Sequence, residues 1–137
     1  MSESSVKRVN RALPSWVDPW LPPIALMALI FFLSAQPDLN SGLGVIDLIG
    51  RKIIHASEYA LLCFLWWRAL REVLPARRAP LAALAIAVAY SCTDEFHQTF
   101  VHGRHGTPVD VMIDAIGSVT VAVVLLRREA AVAGESR

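Results

Sequence analysis

TPVDVMIDAIGSVTVAVVLLRR, running from Thr107 to Arg128, decides how the rest of this chain is read. Thr107 and Pro108 make a good N-cap and first-helical pair, since the hydroxyl accepts an orphan amide and proline has no amide to orphan. From Val109 to Leu126 the stretch is largely apolar, with Asp110 and Asp114 confined to its first two turns. Val119 to Leu126 shows no polar face, which a helix lying on a soluble core needs along its whole length. Roughly 20 such residues cross a bilayer. The stretch therefore predicts a transmembrane helix with two acids near one end.

Three more segments of this kind precede it. The first runs from about Trp16 to Ala35, with Pro19, Pro22 and Pro23 at its start, where a missing N–H costs least. Gln36-Pro37 ends it. The second runs from about Lys52 to Leu70, and the third from after Pro80 to about Phe100, where His102-Gly103-Arg104 breaks it. The expected fold is all-α, a four-helix transmembrane bundle over residues 16–127, with polar tails at 1–15 and 128–137. Lys7, Arg8 and Arg11 before an apolar run outline a signal peptide. The poor cleavage site at Leu33 and Ala35, and the three segments that follow, favour a retained first helix.

Composition agrees. Of 137 residues, 55% are hydrophobic and only 18% charged, against about a quarter charged in soluble domains. A net charge of +1 gives no basic field for nucleic acid. Cys63 and Cys92 lie in apolar stretches without metal or redox spacing and read as small buried hydrophobes.

Lys and Arg placement sets the orientation. Lys7, Arg8 and Arg11, then Arg68, Arg71, Arg77 and Arg78, then Arg127 and Arg128 fall on one side of an even number of spans. That side is predicted to be cytoplasmic, with both termini inside. Trp16, Trp20, Trp66 and Trp67 fall at the same ends, where an aromatic belt is expected.

The ionisable residues then meet at the outer level. Segment two brings Lys52, His55, Glu58 and Tyr59 in its first two turns. Segment three brings Tyr90, Asp94, Glu95, His97 and Gln98, and segment four brings Asp110 and Asp114. His55, Glu58 and Tyr59 share a helix face, as do Asp94, His97 and Gln98. Gly117 and Ser118 continue the Asp110–Asp114 stripe and admit close approach of a neighbouring helix. Arg104, in an acid-rich surrounding, is either the counter-ion of Asp94 or Asp110 or an anchor for an anion. His102 and His105 read as a solvated turn, with Gly103 and Gly106 supplying its geometry. Any one of these residues alone is more simply a hydrogen-bonding staple. Three acids and two histidines at one depth exceed what stapling needs, and such clusters are functional hypotheses by default.

Three chemistries suit the set. A metal could draw on His55, Glu58, Asp94, His97, Asp110 or Asp114, an oxygen-rich mixture suited to Mg²⁺ or Mn²⁺. No diagnostic spacing appears, so no metal is assigned and the cofactor stays open. Acid–base catalysis would use His55, Asp94, Glu95 or His97. Binding would place Arg104 and Lys52 on a phosphate or carboxylate head group, within a ligand set of Lys52, His55, Glu58, Tyr59, Asp94, Glu95, His97, Gln98, Arg104, Asp110 and Asp114.

Several of these residues also carry a resemblance. Lys52-Ile-Ile-His55-Ala-Ser-Glu58-Tyr59, Tyr90-Ser-Cys-Thr-Asp94-Glu95-Phe-His97-Gln98, Gly103-Arg104 and Asp110-Val-Met-Ile-Asp114-Ala-Ile-Gly117 together resemble the VanZ-like family. Leu33-Ser-Ala-Gln-Pro37 is similar to that family's end of helix one. The likeness covers about Ile24 to Leu126. It implies a multi-pass protein of the bacterial cytoplasmic membrane, related to teicoplanin resistance, and it implies no reaction. Its residues here are Lys52, His55, Tyr59, Asp94, Glu95, His97, Gln98, Gly103, Arg104, Asp110 and Gly117. The chain departs from the family at Asp114, where Asn is usual, and at His102, where Pro is usual.

Three functions are thus expected to compete. The first is a non-catalytic envelope protein binding an anionic lipid or lipid-linked cell-wall intermediate, with an effect on glycopeptide sensitivity. The second is a membrane-embedded hydrolase or transferase acting on a lipid. The third is a small proton-coupled carrier, which four helices could form only as a homo-oligomer. The lack of a nucleophile with an evident base partner ranks binding first.

Overall fold

The computed structural model describes residues 17–37 and 44–135. Four α-helices make up the fold among them: α1 (Leu21–Ser34), α2 (Val45–Leu70), α3 (Arg78–Gln98) and α4 (Pro108–Glu135). There are no strands among the described residues. Trp16, Lys7, Arg8 and Arg11 lie outside them.

Helix starts follow local chemistry. Pro22 and Pro23 open α1 in its first turn. Thr107 caps α4, accepting from the Asp110 amide at 3.2 Å and donating to Asp110 Oδ2 at 2.6 Å. Three boundaries differ from expectation, the first being that of α1, which begins at Leu21 and not near Trp16. α2 begins at Val45, not near Lys52, so Lys52 and His55 sit beyond its first turn. Gly50 and the charges around it look like loop in the sequence, but Ile46, Leu48 and Ile49 suit a helix with one apolar side. α4 runs past Arg127-Arg128 to Glu135, because Glu129, Ala130 and Ala131 are good helix formers.

α2, α3 and α4 form the main packing unit, with α2 against α4 the most extensive pair; α1 lies at the side, touching α2 and α3. Small residues make this closeness possible. Ala83 and Ala87 on α3 and Ala122 on α4 are buried around Tyr59, Leu62 and Cys63 of α2. Gly117 meets the α2 backbone directly, and a Cβ there would collide with the Ala56 carbonyl oxygen. One residue on, Ser118 Oγ donates to the Tyr59 carbonyl at 3.1 Å. The expected close approach at Gly117-Ser118 is present.

The outward faces are apolar. Phe32 is 62% exposed and Ile116 64%, with Ile24, Leu29, Met112 and Val124 likewise open. Among the described residues, Pro108–Glu135 is the one helix long and apolar enough to cross a membrane. α1 is apolar but has 14 residues, or about 21 Å of helix. Cys92 is exposed, contrary to expectation, and Cys63 is buried; both are free thiols.

One end of the bundle carries the aromatic and basic groups. Trp20 meets Trp66 edge to face, with ring centroids 6.3 Å apart. The Arg71 guanidinium lies 5.1 Å from the Trp67 ring centre, and Arg68 bonds Asp18 at 2.9 Å. The other end holds Glu58, Asp94, Glu95, Asp110 and Asp114.

Candidate functional site

Helical geometry turns Ser91, Asp94, Glu95 and Gln98 of α3 inward together. Gln98 sits one turn past both acids, and its Nε2 donates to Asp94 Oδ2 at 3.2 Å and Glu95 Oε1 at 3.4 Å. The amide thereby holds two neighbouring carboxylates in place. Across from them, α4 presents Asp114, which is fully buried. Ser91 Oγ donates to Asp114 Oδ2 at 2.7 Å, while Asp114 Oδ1 has no hydrogen-bond partner.

His55 on α2 completes this group. Its Nδ1 lies 3.7 Å from Asp114 Oδ1 and 3.9 Å from Glu95 Oε1, and is itself buried without a hydrogen-bond partner. One ligand atom from each of His55, Glu95 and Asp114 falls within 4.8 Å of the others.

The three face a cavity of about 200 Å³ that is also lined by Arg51, Lys52, Gln98, Arg104, His105 and Asp110, with Leu48 and Ile113 as apolar wall. A second cavity of about 160 Å³ shares Arg51, His55 and Arg104 with the first and adds Ser34, Glu58 and Asp94. His55 and Arg104 thus stand between the two. Nine of the eleven candidate ligands read from the sequence line these walls: Lys52, His55, Glu95, Gln98, Arg104, Asp110 and Asp114 on one, Glu58 and Asp94 on the other.

Two candidates lie elsewhere. His97 turns toward α1, its ring 4.4 Å from that of Phe31, because it is on the opposite side of α3 from Ser91 and Glu95. Tyr59 is buried in the apolar core beneath the site, with its ring 6.3 Å from that of Tyr90. Tyr90 donates to the Met27 carbonyl at 2.6 Å, as a packed aromatic with a satisfied hydroxyl.

The charge pairing also differs from expectation. Asp110 is paired with Lys52 across α4 and α2. Arg104 turns instead to the end of α1, where Nε donates to the Gln36 carbonyl at 2.8 Å and an Nη donates to the Leu33 carbonyl at 3.2 Å. The Leu33 carbonyl belongs to the last turn of α1, where carbonyls lack the usual partner within the helix, and the Gln36 carbonyl lies just past its end. A guanidinium with donors in a fixed fork fits both. Among the described residues, no acid lies within ion-pair distance of Arg104.

The connection to α4 holds two glycines with different reasons. Gly103 has φ 78°, a left-handed conformation that glycine adopts without strain. Gly106 serves close approach, since a Cβ would collide with the Glu95 carbonyl oxygen. His102 is exposed, as a solvated turn predicts, but His105 borders the cavity. Sequence reasoning missed Arg51, Ser91 and His105. Ser91 had a usable signal, lying one turn before Asp94 and Glu95.

A family model described as VanZ/LLP1 matches residues 20–128, which includes every residue of both cavities. No curated protein and no solved structure matches the chain.

Proposed function

The chain belongs to the VanZ/LLP1 family, and from that premise we propose that it is a multi-pass membrane protein that binds an anionic lipid head group. Membership fits a role in glycopeptide resistance. In this reading four helices span the bilayer with both termini cytoplasmic, and the cavities open on the extracytoplasmic side. The apolar outer faces of α1 and α4 support it, since open patches of this extent are rare on soluble monomers. The basic side chains Arg68, Arg71, Arg77 and Arg78 at the other end support the orientation.

The observation that carries the binding reading is that Lys52 and Arg104 line one cavity with Leu48 and Ile113 as apolar wall and Glu95, Asp110 and Asp114 beside them. Its size, about 200 Å³, falls below the roughly 300 Å³ of sites for drug-sized ligands. That suits a phosphate-bearing head group, with the acyl or prenyl chains lying along the apolar helix faces outside. A lipid-linked cell-wall component held there would be positioned to change sensitivity to a lipoglycopeptide acting at the same surface.

A second reading, hydrolase or transferase action on such a lipid, draws on one observation: His55 stands beside Asp114 at the cavity wall. A histidine oriented by a carboxylate is the usual general base. The carrier reading lacks such support. Below Asp114 and Ser118 the interior is filled by Tyr59, Leu62, Cys63, Ala83, Ala87 and Ala122, which offers no relay.

Native mass spectrometry of the whole protein in mild detergent tests the reading. A phosphate-bearing lipid should be retained at one per chain, and lipid-stripped protein should bind phosphatidylglycerol vesicles in preference to phosphatidylcholine vesicles. Protein that carries no lipid and shows no preference rejects head-group binding. Release of a cleaved head group during incubation would move the assignment to catalysis.

A further inference from the structure

We propose that His55, Glu95 and Asp114 hold a divalent cation of the Mn²⁺ or Zn²⁺ kind. The proposal stands on these three side chains and does not depend on what occupies the cavity beside them.

The first support is the state of Asp114. The residue is fully buried, Ser91 satisfies only Oδ2, and Oδ1 points without a partner at the space shared with His55 and Glu95. A buried carboxylate oxygen left unpaired is costly. A cation in that space would satisfy it, together with the unpartnered Nδ1 of His55.

Distances give the second support. The His55–Asp114 and His55–Glu95 separations of 3.7 and 3.9 Å exceed the N–H···O range of about 2.7–3.2 Å. Two ligands on one metal at about 2.1 Å stand roughly 3.0–3.4 Å apart. The two His55 pairs therefore need to close by about 0.3–0.9 Å around a central ion.

The donors are also supported from behind. Ser91 fixes the second oxygen of Asp114, and Gln98 donates at 3.4 Å to the Glu95 Oε1 that itself faces His55. Such outer hydrogen bonds orient metal ligands and tune affinity. Two carboxylates neutralise a divalent charge. One imidazole with two carboxylates suits Mn²⁺ or Zn²⁺, whereas Ca²⁺ takes six to eight oxygens. The positions left open face the cavity lined by Lys52 and Arg104, so water or an anionic oxygen would complete the shell.

The test uses the full chain in detergent, stripped with chelator and then dialysed separately against Mn²⁺ and Zn²⁺ without added lipid. The expected result is one equivalent of at least one metal per chain, with X-ray absorption showing a shell of oxygen and one imidazole. Asp114→Asn keeps the size of the side chain and a partner for Ser91. It and His55→Ala should each weaken the metal by at least the roughly tenfold that losing a hydrogen-bond support costs. His102→Ala, at an exposed position, should not change it. A wild-type protein that binds neither metal stoichiometrically overturns the proposal, whatever the variants do. So does a bound metal without an imidazole, or one retained equally by Asp114→Asn and His55→Ala. Because lipid is absent throughout, failure here leaves head-group binding to be judged by its own experiment.

Discussion

Arg104 Nε donates to the Gln36 carbonyl oxygen at 2.8 Å, tying the turn between α3 and α4 to the end of α1. α1 touches α2 and α3 but not α4, so this link joins a lightly packed helix to the far side of the bundle. Arg104→Ala should lower stability by about 1–2 kcal/mol, since charged hydrogen bonds contribute about 1.5–3 kcal/mol when well shielded and this one is partly open. Amide exchange should rise mainly around Leu33 to Gln36. Arg104→Lys restores the charge but puts its donors on one nitrogen without the planar fork, so it should recover part of the stability. Lipid retention should fall in both variants. Normal retention in Arg104→Lys would confine Arg104 to holding α1.

Lys52 and Asp110 form the charge pair that the sequence assigns in part to Arg104. Their side chains are 34% and 23% exposed, so solvent screens the pair, and a coupling of about 1 kcal/mol is expected. Thermal unfolding of Lys52→Met, Asp110→Asn and the double variant would measure it. Lys52→Met should cost more than the double variant, because it alone leaves a half-buried carboxylate facing no cation. The coupling should shrink at high salt. Strict additivity of the two changes would show that the pair contributes nothing.

Which residues reach the site is largely legible in the sequence, while their partners are not. Depth along a helix follows from counting residues, so Lys52, Glu95 and Asp114 fall at one level on the count alone. Rotation is harder. His97 and Glu95 lie two apart on α3, and only the placement of α1, whose Phe31 ring packs on His97, decides which one faces inward. Arg104 reads as a partner of acids because acids are visible in a sequence. The carbonyls of Leu33 and Gln36 that it bonds are not, since every helix end exposes similar ones. The start of α2 is hidden for a related reason: Gly44 and Gly50 look like loop, although Gly50 sits inside the helix facing open space.

The proposed orientation makes a labelling prediction. In a background with Cys63 and Cys92 replaced by Ser, cysteine at His105 should react with a membrane-impermeant thiol reagent on intact cells. His105 and Ala76 are both exposed in the fold, so cysteine at Ala76 should react only after the cells are opened. The reverse pattern would turn the cavity to the cytoplasm and remove the basis for contact with extracytoplasmic lipids.

Gly117 offers the sharpest packing test. Its position on α4 meets the Ala56 carbonyl of α2 so closely that a Cβ would collide with backbone, which cannot rotate away as a side chain can. α2 and α4 would have to separate, and they are the most extensively packed pair in the bundle. Gly117→Ala should therefore destabilise the protein by about 1–3 kcal/mol, even though alanine favours helices by about 0.5–1 kcal/mol over glycine. Gly50→Ala is the matched control, because it lies in α2 with open space around it and should be neutral or stabilising. The separation would also lengthen the Ser118–Tyr59 hydrogen bond, one residue away, and draw Asp114 off His55, three residues up the same helix. Gly117→Ala should thus weaken metal and lipid retention together with stability, whereas Gly50→Ala leaves all three intact. Equal stability of the two variants in thermal unfolding would mean that α2 and α4 are not held at this distance.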